Sequence, residues 1–222
     1  MLVAVVSDTH VGDALPALPI SLLENLDFRR PDLIIHAGDI TKPHVLTKLE
    51  TIAETVAVKG DNDDPKEFTN FSLPDYWKET VQGHVIVVTH GDRTKEKEAP
   101  SRKINGVFAR LHLPFRWWNG YFQDLYDRFA SLKPDLILCG HLHHPSKRSY
   151  KNSLIVNPGG VYQNGSGTQR NAFSSIVYLH LQPQIIEVEF VILRNTVLLV
   201  SHYLERTVGP AYNSVRSFPC AR

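Results

Sequence analysis

Pro31-Asp32-Leu33-Ile34-Ile35-His36-Ala37-Gly38-Asp39 is a short β-branched apolar run that follows a proline and ends on a glycine and a carboxylate. A run of this length suits a strand buried on both faces, and the Gly-Asp pair suits the tight loop that leaves it. Pro134-Asp135-Leu136-Ile137-Leu138-Cys139-Gly140 echoes it. Two copies mark one strand pattern used twice and do not argue a repeat architecture. Further runs of the same kind lie at 2–6, 55–58, 84–88 and 153–156. Between the early runs, Ile20, Leu23 and Leu26 have helical spacing, as do Val45, Leu46, Leu49 and Ile52 behind Pro43 near a first turn. That alternation predicts an α/β domain. Residues 174–200 read instead as consecutive strands with no helix between them, so part of the sheet structure is expected to be antiparallel and the sheets mixed.

The residues just past each strand carry the chemistry. Asp8 and His10 come after the first run, Asp39 after the second, Asp61 after the third, His90 after the fourth, and His141 and His143 after the fifth. In α/β sheets the crevice beyond the carboxyl ends of the strands is where ligands bind, so these residues are expected to converge. Imidazole and carboxylate suit hard-to-borderline divalent ions, and no thiolate is present among them to favour a soft metal. Seven such side chains are too many for one ion. With Asp39 shared they divide into two sets, and two ions about 3.5–4 Å apart can clamp a phosphate and acidify a water. Arg93 and Lys95 come soon enough after His90 to neutralise a phosphate, and His144 lies beside the expected site.

The ordered blocks Asp8-Thr9-His10, Gly38-Asp39, Gly60-Asp61-Asn62-Asp63, His90-Gly91 and Gly140-His141-Leu142-His143 resemble the five motif blocks of the calcineurin-like metallophosphoesterases. Asn157-Pro158-Gly159-Gly160 resembles a further loop of the small YfcE-type phosphodiesterase branch. The resemblance implies a four-layer αββα sandwich, two mixed sheets flanked by helices, and a hydrolase acting on a small phosphodiester or activated phosphate ester. It implies Asp8, His10 and His143 on one ion, Asp61, His90 and His141 on the other, and Asp39 bridging. The cofactors would be two divalent ions, manganese before nickel, cobalt, zinc, iron or magnesium. The third block departs from the pattern: Asp61 stands where most members carry Asn, and Asn62 where they carry a proton-donating His. Asn62 can hydrogen-bond a phosphate oxygen but cannot deliver a proton near neutral pH. The same departure resembles the retromer subunit Vps29, used chiefly as a protein scaffold. A phosphomonoesterase and a non-catalytic interaction module therefore stand beside the phosphodiesterase as alternatives.

The bulk numbers bound the rest. A chain of 222 residues, 42% hydrophobic and 21% charged, is expected to form one domain over 1–200, with 201–222 a packed or partly disordered tail. Lys and Arg total 24 against 23 Asp and Glu, which leaves no basic field for stable nucleic-acid binding. Two cysteines, Cys139 and Cys220, are too few for a disulfide framework and point to a reducing cytoplasm. Asp8 breaks the first apolar run, and Glu187, Glu189, Arg194 and Asn195 break the longest, so no membrane span is expected. Residues 105–129 are dense in aromatics, among them Phe108, Phe115, Trp117, Trp118, Tyr121, Phe122, Tyr126 and Phe129. That density predicts core, a cover on the site rim, or a homodimer face.

Overall fold

The structure, a computed structural model, describes residues 1–93, 118–162, 174–193 and 199–201. Strands β1 (Leu2–Val6), β2 (Leu33–His36) and β3 (Glu54–Ala57) alternate with helices α1 (Ile20–Arg29) and α2 (Pro43–Glu50). Then come β4 (Tyr76–Val81), β5 (His84–Thr89), α3 (Trp118–Phe129), β6 (Leu136–Cys139), β7 (Ser146–Tyr150), β8 (Ser153–Asn157), β9 (Ser175–Gln182), β10 (Ile185–Ile192) and β11 (Leu199–Ser201). Two mixed sheets result, one of order β11-β10-β9-β1-β2-β3 and one of order β4-β5-β6-β8-β7. The expected antiparallel part is the β9–β10–β11 meander, joined to β1 by an antiparallel ladder that sets Val3 opposite Leu179.

Side-chain alternation along β1 explains the layering. Val3 and Val5 enter a core between the sheets with Leu33, Ile35, Ile86, Val88, Leu136, Leu138, Val156 and Val177. Ala4 and Val6 point the other way, onto Leu22 and Leu26 of α1 and Val45, Leu46 and Leu49 of α2. Both faces of the central strands are covered, which is why they read as unbroken apolar runs. The outer face of the second sheet, Val87, Ile137, Cys139 and Ile155, packs on Tyr121, Phe122, Leu125 and Phe129 of α3. The four-layer αββα arrangement is thus complete.

The described part of the aromatic segment is mainly core. Tyr121, Phe122, Leu125 and Phe129 are all buried, because their spacing puts them on the helix face turned to the sheet. Trp117, the Trp118 side chain, Lys95 and the tail from 202 on lie outside the described residues. Among the described residues no helix is long and apolar enough to cross a membrane.

Candidate metal centre

All seven metal-capable residues sit just past the carboxyl ends of β1, β2, β3, β5 and β6. Five of them, Asp8, His10, Asp39, His141 and His143, have φ between 46° and 67°. A non-glycine residue in that left-handed region costs about 1–3 kcal/mol and persists where the surroundings force it, most often at functional sites. The sharp turns aim the side chains back over the strand ends, into two groups whose potential ligand atoms lie within 4.8 Å of one another: Asp8, His10, Asp39 and His143, and Asp61, His90 and His141.

In the first group Asp8 is fully buried and its Oδ1 lies 3.3 Å from His143 Nε2. His10 Nε2 is 3.3 Å from His143 Nε2, with the two rings stacked. In the second, Asp61 Oδ1 lies 3.2 Å from His90 Nε2 and 3.6 Å from His141 Nδ1. Asp39 Oδ2 stands between, 3.3 Å from His10 Nε2 and 3.4 Å from His90 Nε2.

The ring orientations are fixed from behind. His90 Nδ1 is 2.8 Å from the carbonyl of Ala37, and His143 Nδ1 is 3.1 Å from that of Tyr162. Each Nδ1–H donates to its carbonyl, which turns each Nε2 into the cluster, the orientation that supports a metal-bound histidine. Three carboxylates, two of them buried, and four imidazoles make an anionic nest that calls for cations. Protons and neighbouring imidazoles respond to the same field. Burial would raise the Asp39 carboxyl, yet the hydrogen bond and charge of His90 and the two donors of Asn62 hold it down at about 2. Asp8 is likewise lowered against its burial, by His143 and His90. Asp61 is lowered by contacts with His141 and His90, and His90 is raised well above its usual range, its burial outweighed by Asp39 and Asp61.

The residues expected to meet substrate are placed differently. Asn62 turns inward: its Nδ2 donates to Asp39 Oδ2 at 2.8 Å and its backbone N to Oδ1 at 3.0 Å. The Arg93 guanidinium lies over the Tyr121 ring at 4.8 Å, with Nε 3.7 Å from Asp124, on the α3 side. His144 is exposed next to His143 and belongs to neither group.

Sequence reading missed the residues that brace the loops. The buried Asp63 carboxylate accepts the backbone N–H of Asp39 at 3.0 Å, Ile40 at 2.8 Å, Thr41 at 2.7 Å and Gly60 at 2.8 Å. It ties the loop after β3 to the loop that presents Asp39. Gly60 and Gly140 permit this closeness: a Cβ on Gly60 would meet Asp39 Oδ1 at 2.2 Å, and one on Gly140 would meet the Ala37 carbonyl at 2.7 Å and Asp8 Oδ2 at 3.0 Å. Thr9 Oγ1 is 3.1 Å from Nε2 of the buried His36, which steadies the Asp8–His10 turn from below. The only hint in the sequence was position, since Asp63 and His36 lie within or beside the motif blocks.

A four-layer sandwich carrying carboxylates and imidazoles at its strand ends defines a metal-dependent phosphoesterase. The chain belongs to the calcineurin-like phosphoesterase superfamily, whose domain model matches residues 1–183. It is 29% identical over 159 residues to a probable metallophosphoesterase of Methanothermobacter thermautotrophicus, covering 72% of this chain and 76% of that one. It is 30% identical over 159 residues to a probable metallophosphoesterase of Methanocaldococcus jannaschii, covering 72% of this chain and 67% of that one. Among solved structures it is similar in fold to wild-type Vps29 of Entamoeba histolytica complexed with zinc, at TM-score 0.68 and 20% identity over 91% of this chain and 98% of that one.

Proposed function

We propose that the chain is a phosphodiesterase built on a pair of divalent ions, with Asp8, His10 and His143 on one, Asp61, His90 and His141 on the other, and Asp39 shared. The observation that carries this reading is the place of Asp39 Oδ2, within 3.4 Å of an imidazole nitrogen from each group. The donor set, oxygen and imidazole nitrogen without thiolate, fits manganese first, with nickel, cobalt, zinc, iron and magnesium as substitutes. Zinc in the Vps29 structure of Entamoeba histolytica supports metal binding by this fold. When bound, such a pair supplies positive charge that grips a phosphate and acidifies water.

The protein's own groups do the rest. The carbonyls of Ala37 and Tyr162 keep His90 and His143 facing inward. Asn62 orients Asp39 through two hydrogen bonds and has no proton to give at neutral pH, so the leaving group must depart largely as an anion. Aryl esters are therefore better substrates than alkyl esters. Asp61 adds a carboxylate where most of the family has a neutral amide, and that charge favours a monoanionic diester over a dianionic monoester. The shortage of cysteines fits a reducing cytoplasm.

The test is turnover against diesters, monoesters and cyclic nucleotides with manganese, nickel, cobalt, zinc or magnesium supplied. Hydrolysis of aryl diesters above monoesters is expected. A preference for monoesters makes the protein a phosphomonoesterase, and no turnover at full metal loading makes it a scaffold of the Vps29 kind.

A further inference from the structure

Of the seven metal-capable side chains Asp61 is the most exposed, ahead of His143 at 25%. His90 and Asp8 side chains are 0% exposed and Asp39 3%, whereas Asp61 is 43% exposed. Beside Asp61 lies a cavity of about 780 Å³ whose wall includes that carboxylate and none of the other six metal-capable residues. Its size falls in the range of about 300–1,000 Å³ usual for small-molecule sites.

Two rings form part of its wall. Tyr76, which opens β4 at the sheet edge and is 47% exposed, packs on Phe129 of α3 with ring centroids 5.4 Å apart. Phe129 is itself fixed in the core under the second sheet, so Tyr76 is a braced aromatic surface facing open space. Beside the rings, the Arg128 guanidinium is held by the backbone carbonyl of Asp92 at 3.0 Å and lies 6.0 Å from the Phe129 centroid. Charge narrows the choice of occupant. Among the described residues, and with Asp61 engaged by the metal, Asp63, Asp75 and Asp92 line the cavity against Lys59 and Arg128, an excess of carboxylate that disfavours a second anionic group.

We propose that this cavity is the leaving-group subsite and takes a neutral aromatic alcohol, of the phenol or nucleoside kind, stacked on Tyr76. The inference rests on the phosphodiesterase reading and extends it by naming the ester component that the chain selects. Lys59 and Arg128 offset enough of the acidic lining to admit polar ring substituents, while the remaining negative charge disfavours a terminal phosphate.

Calorimetric binding to the manganese-loaded full chain tests it, with two monoanions of equal charge that contain no ester bond, methyl(phenyl)phosphinate and dimethylphosphinate. The phenyl compound is expected to bind about tenfold more tightly, within the usual range for aromatic stacking. Tyr76→Thr, which keeps a strand-forming residue at this edge, is expected to bring that ratio close to one while leaving the dimethyl compound's affinity unchanged. Equal affinities in the wild type, or an unchanged ratio in Tyr76→Thr, would overturn the subsite and leave the metal-centre reading standing. Binding of neither compound would overturn both.

Discussion

Asp39 is where the two halves of the centre depend on one side chain, since its Oδ2 faces His10 and His90 at nearly equal distance. Replacing it with Asn keeps the shape and removes the shared charge. Asp39→Asn is expected to weaken metal binding by more than the about 10–100-fold typical of an outer-shell partner, and to lower the content of both sites together in elemental analysis. Loss of a single ion would show that Asp39 serves one group only. His36 offers a test by pH. Burial holds this imidazole at about 3, below its ordinary 6.5, despite the nearby Asp8 and Asp39 charges. The unfolded chain therefore takes up this proton near pH 6.5 and the folded chain does not until about 3. By linkage, its contribution to stability is whole above 6.5 and drains away as pH falls from there toward 3. His36→Gln keeps a partner for Thr9 but does not titrate. The stability gap between the metal-stripped wild type and this variant, from urea denaturation, is expected to shrink between about pH 7 and pH 4. A gap that stays constant would refute the account of His36.

Loops positioned by rigid strands make the site, and Asp63 is the tie between two of them. Asp63→Ala strands four backbone donors, so unfolding by urea is expected to show a loss of about 3 kcal/mol or more, with metal content falling because Asp39 is no longer held. A stable Asp63→Ala variant with full metal content would show that the tie is dispensable. The reach of sequence reading followed burial. β1, β2, β5, β6 and β8 were legible because both of their faces are covered, leaving apolar runs bounded by turn residues. β4 and β7 were not: they are edge strands, Tyr76–Val81 with mostly exposed residues and Ser146–Tyr150 with hardly an apolar one, and edges are kept polar to prevent stray pairing. The seven metal-capable residues were legible because each comes after a strand, in order. Asp63 was not, since in sequence an aspartate in a turn has the same appearance whether it caps nothing or holds four amides. Asn62 was expected to face substrate, and its turn toward Asp39 depends on a loop path that only tertiary structure determines.

At the scale of the molecule, the two sheets bring five strand ends to one rim, and the buried negative charge gathered there is tolerable only with cations present. Metal ions are thus expected to stabilise the whole fold: each site held at 100-fold over its dissociation constant contributes about 2.7 kcal/mol. Thermal denaturation should show a clear, concentration-dependent fall in Tm on chelation, and an unchanged Tm would mean that the strand ends bind no metal. The central claim is that two ions act together. The most direct measurement is the rate of bis(p-nitrophenyl) phosphate hydrolysis as the metal-stripped chain is titrated with manganese, with bound metal counted at each point. The rate is expected to climb steeply between one and two ions per chain and to level off at two. A plateau at one ion, or no hydrolysis with both sites filled, would contradict the account.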